Sequence, residues 1–418
     1  MGEAPFPAGR DRRRRWARTW RRLWQPPRAH GEQPRERVVD PLELFYDLAV
    51  VVLVAQAAHH LADHLSWPGL GQYAVVFTLV WIAWINGSLH HELHGNEDAR
   101  ARSTFLLQIL ILVAMAAAIP AAGGARGGAF AIAAAVLFAV LTLLWLLAAR
   151  GDTPEYRRSS RLFVVGTAAC AVLLAGSAAL PAGTRVWAWA AVDLAYLAGF
   201  GVLTLTAMPA QAAAATVTDV LIERFGLFTI IVLGETLTGV VGGLSDRPLH
   251  GVTLAVGLVA VGIGFGAWWT YFDFAGHRRP RPTWSANLLW MLTHLPLTAS
   301  IAAMGAAMVS LIDHAGDART PAPAAWMLCA GATAVLATTM ILAACLRAWH
   351  EDRTLYRPLV WVCAVVAVAC LALGAARPAP LPLGITLVLL LGIPWGVAVA
   401  RRLTTDESET ADRALSPS

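Results

Sequence analysis

The chain has 418 residues, a length that would ordinarily hold two or three soluble domains. Hydrophobic residues make up 57% of it and charged residues 14%, against about 45–50% and 25% in globular proteins, which excludes that arrangement and points to a polytopic membrane chain. All 32 basic residues are arginine, for a formal net charge of +5, and a chain without lysine carries neither a P-loop lysine nor a Schiff base to retinal or pyridoxal phosphate.

Residues 1–38 form a basic, proline-punctuated extension with eleven arginines. From Arg12 to Trp24, arginine alternates with Trp16, Trp20, Leu23 and Trp24. As a helix this stretch can lie on an anionic leaflet, with the indoles at the interface. The alternative is a disordered tail that only enforces orientation. Nucleic acid is not expected as a partner. The first apolar run begins only after the extension, so no cleavable signal peptide is visible.

Twelve apolar segments of spanning length follow, at 43–64, 72–93, 104–120, 129–149, 162–180, 186–208, 220–243, 251–274, 286–312, 324–346, 359–376 and 382–400. Arginine placement supports the count. Alternate loops and the C-terminal tail hold sixteen arginines, including Arg157, Arg158, Arg278, Arg279 and Arg281, whereas the loops between them hold only Arg126, Arg185, Arg247, Arg319 and Arg377. Because cytoplasmic loops collect arginine, both termini are expected inside. Residues 403–418 are polar and expected to be a disordered cytoplasmic tail. The five cysteines all lie in or beside apolar runs with no CxxC pair, and read as small core residues.

The two halves resemble each other. Glu43-Leu44-Phe45-Tyr46-Asp47 opens the first span and Glu223-Arg224-Phe225-Gly226-Leu227 the seventh. Trp81 and Trp84 in the second span match Trp268 and Trp269 in the eighth. An even number of spans per unit keeps both copies in one orientation, so the expected fold class is an all-α polytopic membrane protein of about twelve transmembrane helices with a parallel 6+6 repeat. Its membrane halves would run from 39 to 209 and from 210 to 402.

Ionisable residues inside a bilayer cost about 2.5–3.5 kcal/mol each on insertion scales, so they face the bundle interior and find partners. Glu43 and Asp47 share one helix face by their i, i+4 spacing. Together they can share a proton or bind a cation. Alternatively they cap helix N-termini and pair with inner-loop arginines. Glu223 is the repeat mate of Glu43, with Arg224 beside it. Glu235, near the middle of the seventh span, is the foremost single candidate, and Gln56 falls beside it in the repeat alignment. His294, two residues before Pro296 in the ninth span, can relay protons to Glu235 or Gln56, or bond a carbonyl at the proline kink. Asp193 and Asp273, in the sixth and eighth spans, are weaker additions.

Two histidine-rich stretches are weak metal candidates: His59 with Asp63 at the outer end of the first span, and His90 with His94 at the inner end of the second. They stand about 30 Å apart on antiparallel helices and cannot form one site. His91-Glu92-Leu93-His94 is one residue too short for a zincin motif. No catalytic residues, metal or cofactor are assigned.

The opening of the first span, the stretch from Glu223 to Glu235 and His294-Leu295-Pro296 together resemble the bacterial low temperature requirement A proteins, over residues 38 to 402. Phe225 stands where histidine is expected in many members. The family's name records a growth defect in the cold. The resemblance implies a multi-pass protein of the bacterial cytoplasmic membrane, surrounded by lipid.

Two functions from different classes are in view. One is a secondary transporter or channel for a small solute or ion, proton-coupled through Glu235 with His294 as relay and Glu43 and Asp47 at the cytoplasmic gate. The other is an intramembrane lipid-modifying enzyme or a cold-adaptation scaffold. Against the enzyme, no Ser-His-Asp set or HxxxxD motif falls at one membrane depth. A homo-oligomer is compatible with either.

Overall fold

The computed structural model describes residues 16, 24–29, 39–96, 98–206, 217–248 and 250–415. The expected interfacial helix from Arg12 to Trp24 falls almost wholly outside them. Among the described residues there is no β-strand, only one isolated bridge between Pro280 and Leu346.

The first half contains α1 (Pro41–Asp63), α2 (Trp67–His94), α3 (Ala99–Ala118), α4 (Gly127–Gly151), α5 (Pro154–Ser177) and α6 (Ala182–Thr206). The second contains α7 (Asp219–Ser245), α8 (Gly251–Phe274), α9 (Trp284–Asp313), α10 (Ala322–Cys345), α11 (Arg353–Ala376) and α12 (Pro380–Leu415). Eleven of these, all but α6, are long and apolar enough to cross a membrane among the described residues. The expected sixth span lies in α6, and residues 207–216 beyond it are outside the description. Large apolar side chains on the outer helices stay exposed, such as Val172, Trp187 and Trp361. In a bilayer they meet lipid tails, so their exposure needs no aqueous explanation.

The helix starts follow local chemistry. Asp40 caps α1 by accepting from Leu42 N, while the Glu43 side chain reaches back to Asp40 N at 3.0 Å, a reciprocal capping box ahead of Pro41. Ser66, Asp98, Thr218 and Thr283 cap α2, α3, α7 and α9, each side chain accepting a backbone N–H of the first turn. Pro154 and Asp352 start α5 and α11 one to two turns before their apolar runs begin. The last helix corrects an expectation: α12 continues through the polar tail to Leu415. Alanine, glutamate and arginine there are good helix formers, so the run need not stop where apolarity ends.

α9 is the most enclosed helix, packed by α1, α2, α6, α7, α8 and α10. Gly305 lets α7 approach it, since a methyl group there would come within 2.8 Å of Thr236. Within the first half α1 touches α2 and α3, α2 touches α4 and α6, and α3, α4, α5 and α6 pack in sequence. The halves meet along α1, α7 and α9, where Tyr73 Oη also donates to the Ala299 carbonyl at 2.9 Å.

Arginine-rich loops gather on one face. Arg281 N bonds the Cys345 carbonyl at 2.8 Å and Arg347 N the Arg279 carbonyl at 3.3 Å, stitching the α8–α9 loop to the α10–α11 loop. On the same face, residues 25–28 of the N-terminal extension form a strap over the α2–α3 turn. Arg28 N donates to the His94 carbonyl (3.0 Å) and His94 Nδ1 to the Arg28 carbonyl (2.9 Å). Gln25 N donates to Asp98 Oδ2 (2.6 Å), Asn96 to the Pro26 carbonyl (2.7 Å) and Arg100 to the Gln25 carbonyl (3.1 Å).

Candidate functional site

The N-terminal turns of α1 and α7 lie side by side, and their polar residues converge with the last turns of α2. Glu43, Asp47 and Arg224 are all essentially inaccessible to solvent. Arg224 grips Asp47 through Nη2 at 2.6 Å and Nε at 3.3 Å, a forked contact, and its Nη1 stands 3.6 Å from Glu43 Oε1. Trp84 Nε1 donates to Asp47 Oδ1 at 2.8 Å. His91 Nε2 lies 3.3 Å from Glu43 Oε1, while Glu43 Oε2 holds the Asp40 amide. Two carboxylates thus share one guanidinium, and an imidazole approaches the same Glu43 oxygen as the arginine.

Aromatic rings seal the site from the membrane centre. Trp84 stacks on Phe228 (centroids 4.3 Å) and meets Phe225 edge-on at 5.0 Å. Phe225 in turn contacts Trp290 and His294, at 4.8 and 4.5 Å. Glu223, one residue before Arg224, is only half-buried and joins neither carboxylate.

His294 is buried and fully engaged. Its Nδ1 lies 2.8 Å from the Trp290 carbonyl, which can only accept, so Nδ1 carries the proton. Its Nε2 therefore accepts from Tyr271 Oη at 3.0 Å. The structure does not join it to Glu235 or to Gln56, which is half-buried on α1.

Glu235 instead meets His59 of α1, Nε2 to Oε1 at 3.1 Å, with the histidine side chain 47% exposed and the carboxylate 18%. This second pair again joins α1 to α7. It lies about 18 Å beyond Asp47 along α1 and about 16 Å beyond Arg224 along α7. The two helices therefore run parallel and carry two polar stations. Between them lie Val50, Val54, Phe228 and Val232, all buried.

The weak metal candidates are dispersed. Asp63 is exposed at the end of α1. His90 and His94 lie 5.6 Å apart by ring centroids, both edge-on to Trp145. Among the described residues no three of His, Cys, Asp or Glu come together in a metal-binding group. All five cysteines are buried and unpaired. Asp193 on α6 is buried, with neither carboxyl oxygen partnered among the described residues.

Several site contacts were not apparent from sequence: the Trp84 bond to Asp47, the Thr218 hydroxyl donating to Glu92 at 2.8 Å, and the Tyr196 hydroxyl donating to Asn86 at 2.6 Å. Each pairs residues distant in the chain, and no local spacing signals it.

A bundle of long apolar helices enclosing a carboxylate–arginine–histidine cluster defines a polytopic α-helical membrane protein with a buried ionic site. The family model of the bacterial low temperature requirement A protein matches residues 38–393, and the chain belongs to that family. The basic extension before residue 38 lies outside the match. Comparison with curated proteins gives no match.

Proposed function

We propose that the protein is a secondary transporter or channel of the bacterial cytoplasmic membrane, coupled to protons through its buried carboxylates. The observation that carries this reading is the sharing of one arginine by two fully buried carboxylates, Glu43 and Asp47. Carboxylates are costly to bury, so two at one arginine call for a reason. A second buried acid supplies a group whose charge changes when a proton or small cation arrives.

Three further features support it. The site is built from both halves, so a rocking of one half against the other would open or close it. The helix pairs packed in the second half, α7 with α8 and α9, α8 with α10 and α12, and α9 through α12 in sequence, repeat those of the first, which favours a parallel 6+6 repeat. The arginine-rich loops and the N-terminal strap share a face, which favours both termini inside. Glu43, Asp47 and Arg224 then form an inner station and Glu235 with His59 an outer one. His294 positions Phe225 beneath the inner station.

The test is proton flux in proteoliposomes loaded with a pH-sensitive dye. Glu43→Gln keeps the shape of the site and removes one ionisable carboxyl, and is expected to abolish pH-driven uptake. Wild-type flux from Glu43→Gln would remove the cluster from the mechanism.

A further inference from the structure

We infer that the groove between α5 and α6 binds an organic cation, a quaternary or protonated amine with a small apolar body, with Asp193 as its counter-charge. The groove has a volume of about 250 Å³, and its walls include Phe163, Gly166, Cys170, Tyr196, Gly199 and Phe200. A cavity of about 150 Å³ already admits benzene, so a ring with a few further carbons fits. Val165 and Leu173, also on its walls, are exposed, so the groove opens on the outside of the bundle, toward lipid. Glycines keep the space clear: a side chain at Gly199 would meet nothing within 4 Å, and a methyl group on Gly166 would press on the Tyr196 ring at 3.3 Å.

Asp193 sets the charge. It lies midway along α6, is 3% exposed, and has no partner for either carboxyl oxygen among the described residues. Ionisable side chains at such depth are costly and ordinarily find a partner. Helical spacing puts Asp193 on the same face as Trp189, Tyr196 and Phe200. That face is turned into the bundle, since Trp189 Nε1 donates to Ser177 Oγ of α5 at 2.9 Å and Tyr196 Oη to Asn86 of α2 at 2.6 Å. Tyr196 and Phe200 also wall the groove, as does Cys170 on α5, which stands close enough for the Asp193 charge to act on its thiol. The carboxylate therefore sits directly behind the inner wall of the groove. In surroundings of low dielectric its field reaches across that wall.

The walls decide which cation. Phe163, Tyr196 and Phe200 offer three aromatic rings to one space, with the Phe163 and Phe200 centroids 6.0 Å apart. Tyr196 is fixed there by Asn86, whose amide in turn donates to the Ile82 carbonyl at 2.7 Å. Ring faces attract a cation of diffuse charge, and aromatic cages are the usual receptors for quaternary ammonium groups. A small inorganic ion holds its water shell and finds few oxygen ligands here. A neutral lipid tail suits the apolar walls but leaves Asp193 without a partner. α6 packs on α2, α5 and α9, apart from both polar stations of α1 and α7. The site thus goes beyond the transport reading and does not rest on it.

The experiment is equilibrium dialysis of the full chain, in a non-ionic detergent, against radiolabelled benzyltrimethylammonium. Its neutral isostere neopentylbenzene, with carbon in place of the nitrogen, serves as competitor. The cation is expected to bind saturably, and the isostere to displace it only at concentrations at least tenfold higher than the unlabelled cation requires. Asp193→Asn, which keeps the shape and removes the charge, should raise the half-saturating concentration at least tenfold. Gly199→Leu, which fills open space in the groove, should do the same. If Asp193→Asn does not fold, Gly199→Leu and the isostere decide. Absence of saturable binding, unchanged binding by the folded variants, or equal displacement by the isostere overturns the assignment, and the last of these would mark the groove as a slot for lipid tails.

Discussion

Arg224 and Asp47 are separated by 177 residues and meet at 2.6 Å, joining the first helix of one half to the first helix of the other. Removing one partner of a buried pair leaves the other charge unpaired, at a cost of about 3–5 kcal/mol, whereas replacing both with apolar residues is often close to neutral. Arg224→Ala is therefore expected to be strongly destabilised, and Asp47→Leu with Arg224→Leu to recover only part of the loss, because buried Glu43 also loses its arginine. Detergent-solubilised protein unfolded by heat gives the comparison. A single variant as stable as the wild type would mean the pair contributes no net energy.

The tautomer of His294 makes a second prediction. Among the described residues Tyr271 supplies the donor at its Nε2, so Tyr271→Phe strands a buried acceptor. The expected loss is about 1–3 kcal/mol of stability, with proton flux unaffected if His294 serves packing rather than relay. A flux defect larger than the stability loss would return His294 to the proton path.

The outer pair should behave differently from the inner one. His59 is half-exposed, and partly solvated pairs contribute about 0–1 kcal/mol. A double-mutant cycle over His59→Ala and Glu235→Gln is expected to give a coupling within that range. Glu235→Gln is nevertheless expected to slow flux, because the outer station lies on the proposed route. Full flux from a folded Glu235→Gln would confine the coupling chemistry to the inner station.

The strap yields a fourth prediction. Its hydrogen bonds lie in a segment without regular structure, the kind that opens at low free-energy cost. Deleting residues 1–29 is expected to uncover His94 and the α2–α3 turn. Modification of His90 and His94 by diethyl pyrocarbonate, mapped by peptide mass, should rise several-fold. Unchanged reactivity would show that the strap does not limit access.

The helices and half of the inner station were legible in the sequence for physical reasons. Glu43 and Asp47 announce a shared face because helical geometry brings i and i+4 together. Their partner does not announce itself. Repeat alignment singles out Glu223 as the mate of Glu43, yet each residue turns a helix by about 100°, so Glu223 falls at the bundle margin and Arg224 points inward. Glu235 and His294 both read as lone polar residues in apolar runs. Which neighbour each would meet depended on how α1, α8 and α9 pack around α7, which hydrophobic period does not encode.

The buried cysteines have an experimental consequence. Since Cys170, Cys329, Cys345, Cys363 and Cys370 are all enclosed, an impermeant maleimide should react poorly with the native chain. A single cysteine introduced at exposed Gly183 or Arg353 would then stand alone as a label. Applied to intact cells and to inverted vesicles, that label reports directly which loops face the cytoplasm, without first stripping the protein of its own thiols.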